Sequence, residues 1–214
     1  GNSMGSLHIN SGTVTLTDEL RLGAGWQSQG QLILEQGQLS VENLSVGHSS
    51  LAKGRLGLNG GNLTATRLDL GRPADATATI ELNGGVLQVD TLASVGSPEE
   101  QITIAGGILR LQKTSRDAFD NLITNNSVSW TPGTWRADYA TDTADETLIN
   151  DNGQVLYIRN DDSNGDGEYD DDDYFSVWST TAQRAPAFTD NPTELNFAEA
   201  NTAYNSSLTE AATD

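Results

Sequence analysis

The chain has 214 residues, a length that fits one large or two small domains, and 30 Asp and Glu against 11 Lys and Arg leave a net charge of −19. A field of that sign opposes nucleic acid and anionic membrane surfaces and favours cations, so no nucleic-acid partner is expected. The absence of cysteine excludes disulfides and thiolate metal sites. No stretch is long and apolar enough for a membrane-spanning helix, and no signal peptide is visible.

Residues 1–6 read as an expression remnant ahead of a piece of a longer protein, so a signal or anchor would lie outside this sequence. From Leu7 to Leu111 the sequence repeats. Gly12, Gly37, Gly61, Gly85 and Gly107 are spaced by 25, 24, 24 and 22 residues. Before each glycine stands an apolar pair at i, i+2: Leu7/Ile9, Leu32/Leu34, Leu56/Leu58, Ile80/Leu82 and Ile102/Ile104. After it comes a second pair: Val14/Leu16, Leu39/Val41, Leu63/Ala65, Leu87/Val89 and Leu109/Leu111. A third pair closes the unit in Leu20/Leu22, Leu44/Val46 and Leu68/Leu70. It is looser at Leu92 and Val95 and missing from the fifth unit.

An i, i+2 apolar pair is a short strand with one buried face. Three such strands per unit, separated by Gly or short polar turns, predict an all-β solenoid of about 24 residues per coil, whose coils bury their apolar residues by stacking. Asn10, Asn59 and Asn83 share one turn position, with Glu35 and Ala105 in the other coils, which predicts a partial side-chain ladder. An antiparallel sandwich also gives short alternating strands, but the fixed period and equivalent glycines favour the solenoid.

Past Leu111 the period breaks. Thr114 or Ser115 could cap a short helix over Arg116–Ile123 with Phe119, Leu122 and Ile123 on its apolar face. Val128, Trp130, Trp135, Leu148, Ile149 and Val155–Ile158 read as irregular strands, so residues 112–160 are expected to cap the open end of the solenoid. Residues 186–214 read as a polar tail.

Between cap and tail, Asp162–Asp173 fits a twelve-residue EF-hand calcium loop. Asp162, Asn164 and Asp166 supply oxygens at positions 1, 3 and 5, and Gly167 makes the sharp turn at position 6. Glu168 offers its carbonyl at position 7, Asp170 binds at position 9, and Asp173 closes the loop at position 12 with an arm shorter than the usual Glu. Eight of the thirty acids fall within the thirteen residues 161–173, and those carboxylates repel one another unless a cation holds them. Calcium is the expected ion. Tyr174, Phe175, Val177 and Trp178 stand at helical spacing and predict an exit helix, placing loop and helix at residues 161–185.

The units over residues 30–47 resemble the repeats of autotransporter-type bacterial β-solenoids. Asp162–Asp173 followed by Tyr174–Trp178 resembles the loop and exit helix of dockerin-type modules, as found in planctomycete-like secreted proteins. The likeness implies a secreted or cell-surface protein and ligand roles for Asp162, Asn164, Asp166, Asp170 and Asp173. A full dockerin has two such loops. No second one stands in residues 187–214, where Pro192 spoils the template, so structural calcium is expected rather than cohesin binding.

Catalysis on a solenoid needs acids, or an acid and a base, gathered on one outward strip. The expected outward columns are His8, Ile33, Gly57, Glu81, Thr103; Thr15, Ser40, Thr64, Gln88, Arg110; and Arg21, Ser45, Asp69, Ser94. None collects such a pair, and His8 and His48 read as surface residues. A flat threonine array for ice binding fails after Thr15, Ser40 and Thr64. The expected role is a non-catalytic spacer or adhesion module stabilised by calcium, with polysaccharide or another surface protein as partner. The alternative is a carbohydrate-binding module using Trp130, Trp135 and Tyr139, whose ring faces would stack on sugars.

Overall fold

A computed structural model describes residues 3–94, 98–132 and 144–180. All of these lie within one unit, residues 1–181. Five coils follow one another as paired strands: β1 (Met4–Ile9) with β2 (Thr13–Leu22), β3 (Gln29–Leu34) with β4 (Gln38–Val46), and β5 (Lys53–Leu58) with β6 (Asn62–Leu70). The series continues with β7 (Thr77–Leu82) and β8 (Val86–Ser94), then β9 (Glu100–Ile104) and β10 (Ile108–Gln112). Odd strands stack in parallel on one sheet, and even strands stack in parallel on another. The chain is a parallel β-solenoid. Met4–Ser6 already pair in register with Gln29–Gln31.

The apolar pairs meet coil to coil as the repeat requires. Leu32, Leu56, Ile80 and Ile102 form one continuous column, and Leu39, Leu63, Leu87 and Leu109 another; all eight are buried. The third column is Leu20, Leu44, Leu68 and Leu92. Second and third pairs share one unbroken strand instead of being parted by a turn. In β4 the alternation slips at Glu42 and Asn43, which both face outward, and Leu44 and Val46 then re-enter the core. A corner made this way keeps the ladder hydrogen bonds on both sides of the bend.

Glycine stands where the coil turns too tightly for a side chain. Gly37, Gly61 and Gly85 have φ of 95°, 71° and 71°, and a Cβ on Gly61 would lie 2.4 Å from the carbonyl oxygen of Gly37. In the fifth coil the positive φ moves one residue back, to Gly106. Beside this turn the expected ladder forms in part. Asn83 donates to Asn59 and Asn59 to Glu35, each at 3.0 Å, and His8 lies 3.3 Å from the same Glu35 oxygen.

Helix α1 (Arg116–Thr124) forms where the sequence places it, with Phe119 and Leu122 buried. Ser115 occupies the N-cap position but does not cap: its hydroxyl takes the amide of Leu92 at 2.8 Å and donates to the carbonyl of Asp90 at 3.0 Å. It ties the helix to the fourth coil instead. Strands β11 (Val128–Trp130) and β12 (Glu146–Ile149) fall in residues 112–160, and β13 (Val155–Asp161) runs one residue past them. The exit helix is not formed. Tyr174–Thr180 is a strand, β14, antiparallel to β13 on one side and to β10 on the other. The physical reason is the open edge of β10. A strand satisfies that edge and lays Phe175 and Val177 onto Leu111 and Leu109, whereas a helix would leave the β10 ladder unpaired. Residues 187–214, where no second loop is expected, and the polar tail from residue 186 lie outside the described residues.

Candidate calcium loop and the surfaces around it

The twelve residues expected to hold calcium connect β13 to β14. Their outer neighbours are paired directly, Asp161 with Tyr174, so the loop closes a hairpin whose second strand covers the last coil. Gly165 and Gly167 adopt φ of 78° and 85°, and with them the chain folds back on its own side chains.

Each expected side-chain ligand is turned inward onto the loop backbone. Asp162 accepts the amides of Gly165 at 2.7 Å and Gly167 at 2.9 Å, one on each oxygen. Asn164 accepts from the amide of Asp166 at 3.0 Å, Asp166 from that of Glu168 at 2.8 Å, and Asp170 from that of Asp172 at 3.1 Å. Asp173 is fully buried and joins the two ends of the loop, taking the amide of Ser163 at 2.6 Å and that of Asp170 at 3.0 Å. Those two amides, followed by the amide of Asn164 and by Lys113, hold its carboxyl below the usual carboxylate value against the opposing effect of burial. Glu168 enters through its backbone only.

A carboxylate oxygen carries two lone pairs, so an oxygen that accepts one amide can still face a cation. The donor set is hard oxygen throughout, which suits calcium. Among the described residues, however, no three acidic or imidazole groups close on a single point. The side chains are held by amides of the loop itself and do not form a closed cage.

The loop is tied to the solenoid by basic residues of β10 and the segment after it. Lys113 donates its amide to the carbonyl of Asp173 at 2.8 Å, and its ammonium bonds the carbonyl of Tyr169 while lying 4.6 Å from the centre of that ring. Arg110 donates to Ser163 at 3.0 Å and stacks 4.7 Å over the Tyr174 ring. Tyr174 donates its phenol to Asp90 at 2.6 Å. Burial pushes the Tyr169 and Tyr174 phenols up to about 12, so both stay protonated.

Of the aromatic residues suggested for sugar binding, only Trp130 is described; Trp135 and Tyr139 lie outside the described residues. Trp130 is half-buried against the core, and its indole donates to the carbonyl of Gln154 at 2.9 Å. Its strand, β11, pairs with β9 at the end of the sheet formed by the first strands of the coils.

The third outward column needs correction. Asp69 is followed by Ala93, and Ser94 falls in the inner column behind Leu70, where it bonds the buried Glu100. Ser45 and Asp69 are buried despite facing outward, because neighbouring side chains fold over them. Glu19 accepts from Ser45 at 2.7 Å and from Arg21 at 2.6 Å, and His48 places Nδ1 3.4 Å from it. An acid and a histidine therefore do meet, although no single column holds both. The signal was the extra residue of the first coil: it forms a bulge between Leu16 and Glu19 that brings Glu19 level with Asn43.

Comparison with family models, with curated proteins and with solved structures gave no match to this chain.

Proposed function

We propose that the chain is a non-catalytic structural module of a secreted or cell-surface protein, a rigid spacer whose last coil is fastened shut by calcium in the loop Asp162–Asp173. The observation that carries this reading is the position of the loop. It is the connection of the β13–β14 hairpin, and β14 is the strand that pairs with the exposed edge of β10. Calcium between Asp162, Asn164, Asp166, Asp170 and Asp173, with the Glu168 carbonyl, would offset the mutual repulsion of those acids. It would thereby stabilise the hairpin that covers the core.

The test is a thermal melt with calcium and with EDTA. A ligand bound only by the folded state at a hundred times its dissociation constant adds about 2.7 kcal/mol, which for a chain of this size raises the melting temperature by about 5–10 °C. Asp166→Ala is expected to remove that shift. An identical melting temperature in calcium and EDTA would refute the clamp.

A further inference from the structure

Four asparagines stand directly before a glycine: Asn59, Asn83, Asn152 and Asn164. At such a step the next backbone nitrogen can attack the asparagine side chain, because glycine has no Cβ to obstruct the approach. The reaction is helped by a base at the attacking N–H and by a donor at the oxygen where charge develops. It also needs room for a five-membered ring to close. All four asparagines are exposed, so access to water does not separate them. Their surroundings do. Asn59 and Asn83 are held in the ladder between coils, and their turns are pressed against the preceding coil. A Cβ on Gly60 would lie 2.3 Å from the carbonyl oxygen of Glu35, and one on Gly84 2.4 Å from that of Asn59. Asn152 has room, since a Cβ on Gly153 meets nothing within 4 Å. Its attacking amide, however, donates to the carbonyl of Asn150 at 2.8 Å, and a peptide carbonyl is too weak a base to take the proton.

Asn164 meets every requirement. The amide of Gly165 donates to a carboxylate oxygen of Asp162 at 2.7 Å, so the attacking nitrogen has its proton on a base. That bond lies in the plane of the peptide and leaves the face of the nitrogen open. The side-chain oxygen of Asn164 accepts the amide of Asp166 at 3.0 Å, the donor where charge develops, and its nitrogen donates to the Asp166 carboxylate at 3.1 Å. A Cβ on Gly165 meets nothing within 4 Å, so ring closure is unobstructed. Asp166 and Gly167 repeat the two bonds, with Gly167 on Asp162 at 2.9 Å and Glu168 on Asp166 at 2.8 Å. A carboxylate lacks the leaving nitrogen of an amide, so the chemistry belongs to Asn164.

We propose that the chain modifies itself at Asn164 by intramolecular deamidation, which Asp162 promotes. The Gly165 nitrogen bonds to Cγ of Asn164 and its proton passes to Asp162. The bond from Cγ to Nδ2 then breaks, and the nitrogen leaves as ammonia with a proton from solvent. Water opens the resulting imide at either of its carbonyls, which leaves aspartate or isoaspartate at this position and restores the Gly165 amide. One water is consumed and one ammonia released, with no oxidation or reduction. The product adds one negative charge to a chain of net −19, and isoaspartate also lengthens the backbone of the loop by one carbon. The proposal stands on the geometry of the metal-free loop and does not rest on calcium.

The test follows the full chain in EDTA near neutral pH, native and in guanidinium chloride, by mass spectrometry of its peptides. EDTA keeps the result independent of whether the loop binds calcium. In denaturant the four asparagines are expected to deamidate at similar rates. In the native chain Asn164 is expected to react at least about tenfold faster than each of the other three, and faster than it does when unfolded. In heavy-oxygen water its peptide should take up one labelled oxygen and separate into two isomers. Asp162→Asn keeps an acceptor for the Gly165 amide without a carboxylate base, and should slow the native rate about tenfold or more. Unchanged slow rates at Asn59 and Asn83 in that variant would show that the solenoid still folds. A native Asn164 that reacts no faster than Asn152, or no faster than in denaturant, would overturn the proposal. So would an Asp162→Asn chain that reacts as fast as the original.

Discussion

Two glycines with the same conformational demand separate backbone strain from coil stacking. Gly12 and Gly61 both have positive φ, but a Cβ on Gly12 meets nothing within 4 Å, whereas one on Gly61 strikes the carbonyl of Gly37. Gly12→Ala should cost about 1–2 kcal/mol, the penalty of the left-handed region alone. Gly61→Ala should cost clearly more, because two coils must also part; equal losses by urea denaturation would contradict this stacking. His48 gives a pH signature. Its folded pKa lies below the ordinary value of 6.5, since burial and Arg21, together with Arg72, outweigh Glu19 and Asp69. The unfolded chain therefore binds the proton first, and stability falls as pH drops through 6.5 towards the lowered value. His48→Gln should abolish that slope between pH 7 and pH 5. Melting temperatures of the two proteins that track each other across this range would refute the assignment. The glycines were legible in the sequence because their spacing repeats. The His48 surroundings were not, because His48 and Arg72 lie in turns and meet Glu19 only through the bulge of the first coil.

At the scale of elements, the central coils carry the packing. Leu68 is fully buried between Leu44 and Leu92, whereas Leu20 belongs to β2, whose far edge has no described neighbour. Leu68→Ala should cost about 2–5 kcal/mol, and Leu20→Ala distinctly less, in the same denaturation measurement. Equal losses would contradict the column. The i, i+2 pairs announced every one of these strands because burial on one face dictates a period of two. Strand β14 departs from the expected exit helix for a specific reason. Tyr174, Phe175, Val177 and Trp178 satisfy helical spacing, and a helix follows the loop in the dockerin-type pattern. Yet Tyr, Phe, Val, Trp and Thr all favour strands, and the vacant edge of β10 decided the matter. Local sequence could not show that edge.

At the scale of the whole molecule, a repetitive body that stabilises itself by stacking carries on its last coil a hairpin whose connection is the acidic loop Asp162–Asp173. The loop holds its acids on backbone amides, and Lys113 and Arg110 link it to the last coil and its cap. The template of Asp162–Asp173 was readable because its residue spacing is local; its place as the connection into β14 was not, because that depends on the pairing of Gln112 in β10 with Tyr174, 62 residues further on. The most direct test is amide hydrogen exchange of the metal-free protein before and after adding calcium. Calcium is expected to slow exchange in residues 162–180 and in 108–112, the strand they cover, while Lys53–Leu70 in the middle coils stays unchanged. Exchange that is the same in all three segments with and without calcium would contradict the claim that calcium fastens the end of the solenoid.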